Sequence, residues 1–135
     1  MRNGRAARAL AAALALATGC ALWPSEEKSR QKVEKSVEIF GDNFQWQRWS
    51  QAAQLVHPED RVAFLTYGVE RGERLRVTGY EIAIVELDPS GDAALATVVF
   101  QVYRPPSLTE QALVDRQQWV RKGGEWFVRP ALDRY

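Results

Sequence analysis

Between Ser25 and Gly72 apolar residues return every three or four positions, and from Arg74 onward they return every second one. The first rhythm belongs to helices with one buried stripe, the second to strands with one buried face. Ser25, followed by Glu26 and Glu27, offers a capping hydroxyl and two negative charges to the positive end of a helix. Val33, Val37, Phe40 and Phe44 mark the buried stripe of that helix, and Gly41-Asp42 interrupts it. Asp42, with Gln45 three residues on, reads as a capping box for a second helix carrying Trp46, Trp49, Ala53 and Val56 on one face. His57-Pro58-Glu59-Asp60 restarts helix once more, because a proline at the first helical position loses no amide bond and two acids follow. This third helix is expected to bury Val62, Leu65 and Val69 before Gly72 ends it, with Trp46 and Trp49 in the core.

Four strands are predicted after the change of period: 74–88, 93–104, 111–122 and 125–129. Pro89-Ser90-Gly91-Asp92, Pro105-Pro106-Ser107 and Gly123-Gly124 are the turns between them. Such short connections imply sequential antiparallel neighbours, a meander, with Gly79 marking a bulge that bends the first strand. Helices followed by a curved antiparallel sheet define an α+β fold, with the helices on one sheet face.

Pairing the strands about their turns sorts side chains into two faces. The expected core face carries Ala83, Val85, Leu87, Ala96, Val98, Phe100, Val102, Val114, Val120, Trp126 and Val128, with Glu81, Arg116 and Gln118 as polar members. The opposite face carries Tyr80, Ile82, Ile84, Leu95, Val99, Tyr103, Leu113, Trp119 and Phe127 among Thr97, Gln101, Asp115, Gln117 and Arg129. On this assignment Tyr80, Ile82, Ile84, Val99, Tyr103, Trp119 and Phe127 form an aromatic surface of the kind that marks an interface. A one-residue slip would exchange the faces.

The order of helices, long bent strand and two hairpins, closing on Trp119-Val120-Arg121-Lys122-Gly123-Gly124-Glu125-Trp126-Phe127-Val128, resembles the nuclear transport factor 2-like (cystatin-like) superfamily. It is similar, more narrowly, to small proteobacterial lipoproteins with that fold, over roughly residues 25 to 132. The resemblance implies a cone: helices packed on a curved four-stranded sheet. The superfamily holds enzymes, ligand binders and partner-binding modules, so the fold by itself supports no function.

The first 22 residues follow another grammar. Arg2, Arg5 and Arg8 precede an apolar stretch from Ala9 to Leu16 and small residues at Ala17, Thr18 and Gly19, the three parts of a secretory signal peptide. A spanning helix needs about 20 apolar residues, more than this alanine-rich run supplies. Leu16-Ala17-Thr18-Gly19-Cys20 resembles a lipobox, with the preferred leucine one place early, and the chain's single cysteine falls at the position that receives the diacylglyceryl group. Plain secretory cleavage after Gly19 is the competing reading. The expected organisation is a leader over 1–19, a lipidated Cys20 with a short tether over 20–24, and one domain over 25–135. Ala21 after the cysteine resembles the signal for the outer membrane in a host with two membranes, and Trp23 is placed to meet the headgroup layer.

Composition narrows the classes further. The chain has 18 basic and 17 acidic residues, and losing Arg2, Arg5 and Arg8 with the leader leaves 15 against 17, a net charge of −2. That excludes an electrostatic footprint for nucleic acid. One cysteine excludes an internal disulfide and thiolate metal sites, and one histidine, His57, limits any His-based triad or metal site to a single ligand. No phosphate-cradling glycine loop, two-histidine helix or serine elbow is present, and no cofactor is expected. His57 reads as a helix-start residue. Asp115 is a base only if it points into a cone-shaped pocket, as carboxylates do in the isomerase and dehydratase members that the fold resembles; on the expected outer face it is a solvated charge. Arg116 and Gln118 either line a pocket mouth with Trp49, Phe64, Phe100 and Trp126, taking an apolar or anionic ligand, or pair locally with Glu81 and a helix carbonyl. The leading expectation is a non-enzymatic envelope lipoprotein, held to the membrane by lipid, that meets another envelope protein or a second copy of itself through its sheet face. A small-molecule pocket protein is the alternative, and an isomerase or dehydratase the third.

Overall fold

The computed structural model describes residues 23–135, with side chains from Ser25 onward. The leader, Cys20, Ala21 and the expected membrane contact of the Trp23 ring lie outside the described residues. Helices α1 (Trp23–Gln45), α2 (Trp49–Ala53) and α3 (Arg61–Arg71) precede strands β1 (Arg76–Leu87), β2 (Ala93–Tyr103), β3 (Gln111–Lys122) and β4 (Glu125–Arg129). The strands form one antiparallel sheet in the order β1-β2-β3-β4, so the expected α+β meander is the observed fold. Among the described residues no helix is long and apolar enough to cross a membrane.

The core lies between the helices and one sheet face. Val33, Val37, Phe40 and Phe44 of α1 are buried, as their spacing requires, and they meet Ala96, Val98, Phe100 and Val102 of β2 and Trp126 and Val128 of β4. Val56 forms a parallel bridge with Val128, which ties the chain after α2 to the free edge of β4.

Three helical expectations are corrected. Gly41-Asp42 does not break α1, which starts before Ser25 and continues to Gln45. Glycine is needed at 41 because the Tyr80 ring lies where a side chain would stand, 2.8 Å from an ideal Cβ. Asp42 and Gln45 serve tertiary contacts in place of a cap: Tyr80 Oη donates to Asp42 Oδ1 at 2.6 Å, and Gln45 Nε2 donates to the Thr78 carbonyl at 3.0 Å. The break falls at Gln47, whose φ of 56° is left-handed, and Trp46 just before it is exposed. On α3, Phe64, Tyr67 and Gly68 face the core, while Val62 and Val69 are 76% and 85% exposed and Leu65 is exposed as well. The helix has two apolar sides, and the one with aromatic area and a groove for the Trp49 ring wins. Gly68 and Gly72 form that groove.

This groove yields a prediction whose sign opposes helix propensity. An alanine in place of glycine in a helix favours it by about 1 kcal/mol. At position 68 the new Cβ would lie 2.7 Å from Trp49 Cγ, a ring atom that cannot swing aside. Gly68→Ala is therefore expected to destabilise by about 1–3 kcal/mol, the range for overpacking, seen as a lower Tm; an unchanged or raised Tm would contradict the packing.

The sheet faces are corrected in part. Register shifts between Val77 and Gly79 and between Ile82 and Ile84 bulge β1 twice; the first stands beside the glycine that marked a bend. Between the two bulges Tyr80 pairs with Phe100 and Ile82 with Val98, so both turn toward the helices. On β3 the phase is opposite to the expected one: Asp115, Gln117 and Trp119 are buried, whereas Val114, Arg116 and Gln118 face solvent and Val120 is only half-buried. The cause is the turn. Gly123 and Gly124, with φ of 60° and 80°, make a two-residue hairpin that pairs Lys122 with Glu125 and so Trp119 with Val128.

Candidate functional site

β3 runs through the interior with three polar side chains pointing inward. Gln117 Nε2 donates to Asp115 Oδ2 at 3.0 Å, and Trp119 Nε1 donates to Gln117 Oε1 at 3.1 Å. Residues two apart on a strand share a face, so the sequence Asp-x-Gln-x-Trp builds a ladder along the strand. The segment after β4 closes its end. Leu132–Arg134 forms a short helical turn that brings Tyr135 Oη to Asp115 Oδ2, a hydrogen bond that the hydroxyl donates. Arg134 Nη1 donates to Asp115 Oδ1 at 3.4 Å and to the Arg116 carbonyl at 3.2 Å.

Asp115 is 1% exposed. A buried carboxylate is stable only when paired and hydrogen-bonded, and here three donors occupy it. Rings fill the space around this end of the ladder: Tyr135 packs on Phe44 with centroids 4.7 Å apart and on Tyr67 at 5.9 Å, and Phe44 packs on Phe100 at 5.4 Å. Burial, then the charge of Asp115 and the bond to it, hold the Tyr135 hydroxyl well above the ordinary tyrosine range. Burial, then the bond to Asp42, likewise raises Tyr80.

A pH prediction follows from these two groups. When a tyrosine pKa is raised in the folded state, the unfolded chain loses its proton first, near pH ~10. Above that pH the native state holds more protons, so stability falls as pH rises. Below about pH 10 both states are protonated and the groups add no pH dependence. Tyr135→Phe is expected to flatten the decline seen in urea unfolding between about pH 10 and 11 while Tyr80 and Tyr67, which burial also raises, leave a residue of it; an unchanged slope would remove Tyr135 from the account.

The six residues expected to line a pocket do not come together. Phe64, Phe100 and Trp126 are buried and Trp49 packs against the same core, ring against ring, with Trp49 and Phe64 centroids 5.8 Å apart. Arg116 and Gln118 stand on the other side of the sheet. Asp115, read as a solvated outer charge, is the interior carboxylate instead. The missed signal was the two-residue turn, which sets the β3 phase by counting. His57 starts a helical turn as expected, its Nδ1 accepting from the Glu59 amide at 3.3 Å. Among the described residues no cluster of three His, Cys, Asp or Glu side chains is arranged to hold a metal ion.

The outer sheet face is the other candidate. Of the expected interface residues, Ile84, Val99, Tyr103 and Phe127 lie on it. Trp119 is fully buried, and Tyr80 and Ile82 face the helices. Val99 pairs with Val114 across β2 and β3, and Ile84 stands one row along, opposite Thr97. Ile84 and Val114 are 50% and 53% exposed. The Arg61 guanidinium lies 5.7 Å from the Phe127 ring centroid at the β4 edge. A groove of about 670 Å³ between α1, α2 and the β3–β4 turn includes Lys32, Ile39, Gln54 and Leu55.

No protein-family model matches the chain, and no curated protein matches it. Among solved structures it is similar to Rv3472, a function-unknown protein from Mycobacterium tuberculosis, with a TM-score of 0.59 and 14% identity, over 80% of this chain and 73% of that one. The likeness shows the fold alone.

Proposed function

We propose that this protein is an exported lipoprotein, anchored through Cys20 after removal of residues 1–19, whose domain docks a protein partner on its outer sheet face. The reading places it in the nuclear transport factor 2-like superfamily and at the periplasmic face of the outer membrane if the host has two membranes. The observation that carries it is the one-sided covering of the sheet among the described residues: helices pack on one face, and the other presents the exposed Ile84 and Val114 and the half-buried Val99 in two adjacent rows that also carry Glu81, Thr97 and Arg116. Exposed apolar rows of this kind suit association with another protein or a second copy of the chain. The reading assigns no reaction to the domain, because Asp115, the interior carboxylate, already accepts from Gln117, Arg134 and Tyr135.

Light scattering of the domain over a concentration series tests the face. The expected result is a mass that rises with concentration, and Val114→Glu should abolish the rise while changing stability by no more than about 0.5 kcal/mol, as an exposed substitution does. A partner other than self would leave the mass constant and appear instead as cross-linking from a photoreactive group at position 114 in intact cells. The absence of both signals would sink the reading.

A further inference from the structure

The fold places the start of α1 beside the β1–β2 hairpin end, while the β3–β4 turn, at the same end of the sheet, borders Lys32, Lys35 and Ser36 further along the helix. Ser25, Glu26 and Ser29 border the same surface depression as Leu87, Asp88, Pro89, Gly91 and Arg121. At its other end α1 meets the start of β1, where Gln45 bonds to Thr78, so helix and strand run in opposite directions. The β1–β2 and β3–β4 turns therefore share one end of the molecule with the point where the chain enters. The β2–β3 connection, 104–110, lies at the other end, at the far side of an 11-residue strand.

From this we infer that the domain stands on the bilayer with its β1–β2 hairpin tip, Pro89-Ser90-Gly91, against the lipid headgroups and the β3–β4 turn, Lys122-Gly123-Gly124, facing the same way but set back. The inference rests on the lipid anchor at Cys20. Three peptide units separate Cys20 from Trp23, a reach of at most about 11 Å. A lipid-bearing residue at the headgroup layer thus holds the start of α1 within that distance, and the β1–β2 tip stands beside the helix's next turns. The 23 residues of α1 carry the opposite end of the domain away by up to about 34 Å.

The chemistry of the tips sets the depth. Glycine, serine and proline offer no bulky apolar side chain to insert, and Arg121 is paired with Asp92 at 3.0 Å. Asp88, Asp92 and Glu125 outnumber the basic residues Arg121 and Lys122 there. The β1–β2 tip therefore rests among headgroups without entering the acyl layer, and the tether, not charge attraction, keeps it there. The strands then meet the membrane end-on, which leaves the outer sheet face free at the side.

The test uses the full lipidated protein, purified from membranes and reconstituted in phosphatidylethanolamine–phosphatidylglycerol vesicles. A fluorophore is attached at Ser90→Cys or at Ser107→Cys, both exposed. A nitroxide on the lipid headgroup is expected to quench the probe at 90 several-fold more than the probe at 107, and a nitroxide deep in the acyl chain to quench neither. Six Gly/Ser residues inserted before Trp23 should bring the two values together. Equal or reversed quenching in vesicle-bound protein overturns the orientation and leaves the anchor standing. Protein that fails to float with the vesicles overturns the anchor and the orientation with it.

Discussion

Trp119→Ala is expected to remove roughly 3–5 kcal/mol of stability, the range for deleting a fully buried large aromatic. Trp119 lies on β3 opposite Ala94 and Val128, with its ring edge-on to Phe40 at 6.1 Å. Two losses combine. The cavity would open where α1 crosses the sheet, and backbone elements on both sides limit how far it can collapse. Gln117 Oε1 would also lose its donor inside the core. Trp119→Phe helps to separate these losses, since it keeps much of the volume while removing the N–H. Against a typical total of about 5–15 kcal/mol, the loss to alanine is between about a fifth and the whole of the stability. Urea unfolding of the three proteins at constant m measures the effect. A loss below about 1 kcal/mol, typical of a surface position, would mean that β3 presents Trp119 to solvent, and the register described above would be wrong.

Asp115→Ala is the second large expected effect. The substitution strands the Gln117 amide in the interior, deprives the Tyr135 hydroxyl of its acceptor and frees the Arg134 guanidinium. Each buried donor left without a partner costs about 1–3 kcal/mol. Arg134 is 41% exposed and can return to water, so its share is small. The expected loss is roughly 2–5 kcal/mol for the two buried donors together. Asp115→Asn should recover part of it, because one amide oxygen still accepts. Tyr135→Phe and Asp115→Ala should be non-additive, since both act on one hydrogen bond. Full additivity in that cycle would show that Tyr135 and Asp115 do not meet. Loss of Asp115 is also expected to release the segment after β4, so protection of the Leu132–Arg134 amides from hydrogen exchange should fall more than that of β2.

The interior ladder was legible only as a set of alternatives. Residues 113 to 120 carry apolar side chains in both phases, Leu113 and Trp119 in one, Val114 and Val120 in the other, with Asp115-Arg116-Gln117-Gln118 between them. Hydrophobic alternation alone therefore has no preferred face on this strand. The Gly123-Gly124 turn contains the answer, because a two-residue connection puts Trp119 opposite Val128, and β4 has an unambiguous face in Trp126 and Val128. The bulge at Ala83 had no comparable marker. It is the reason that Tyr80 and Ile82, in one alternation with Ile84, turn inward while Ile84 turns out.

The number, order and type of the strands, the turns between them and the first buried stripe of α1 were determined by sequence alone. Each depends on interactions within a few residues: turn chemistry at Gly123-Gly124, β-branched alternation in β2, and helical spacing from Val33 to Phe44. Tertiary structure alone decided which stripe of α3 is buried and that α1 passes unbroken through Gly41. In both cases the local sequence is compatible with two solutions. The choice fell to a distant partner: the Trp49 ring for Gly68 and the Tyr80 ring for Gly41.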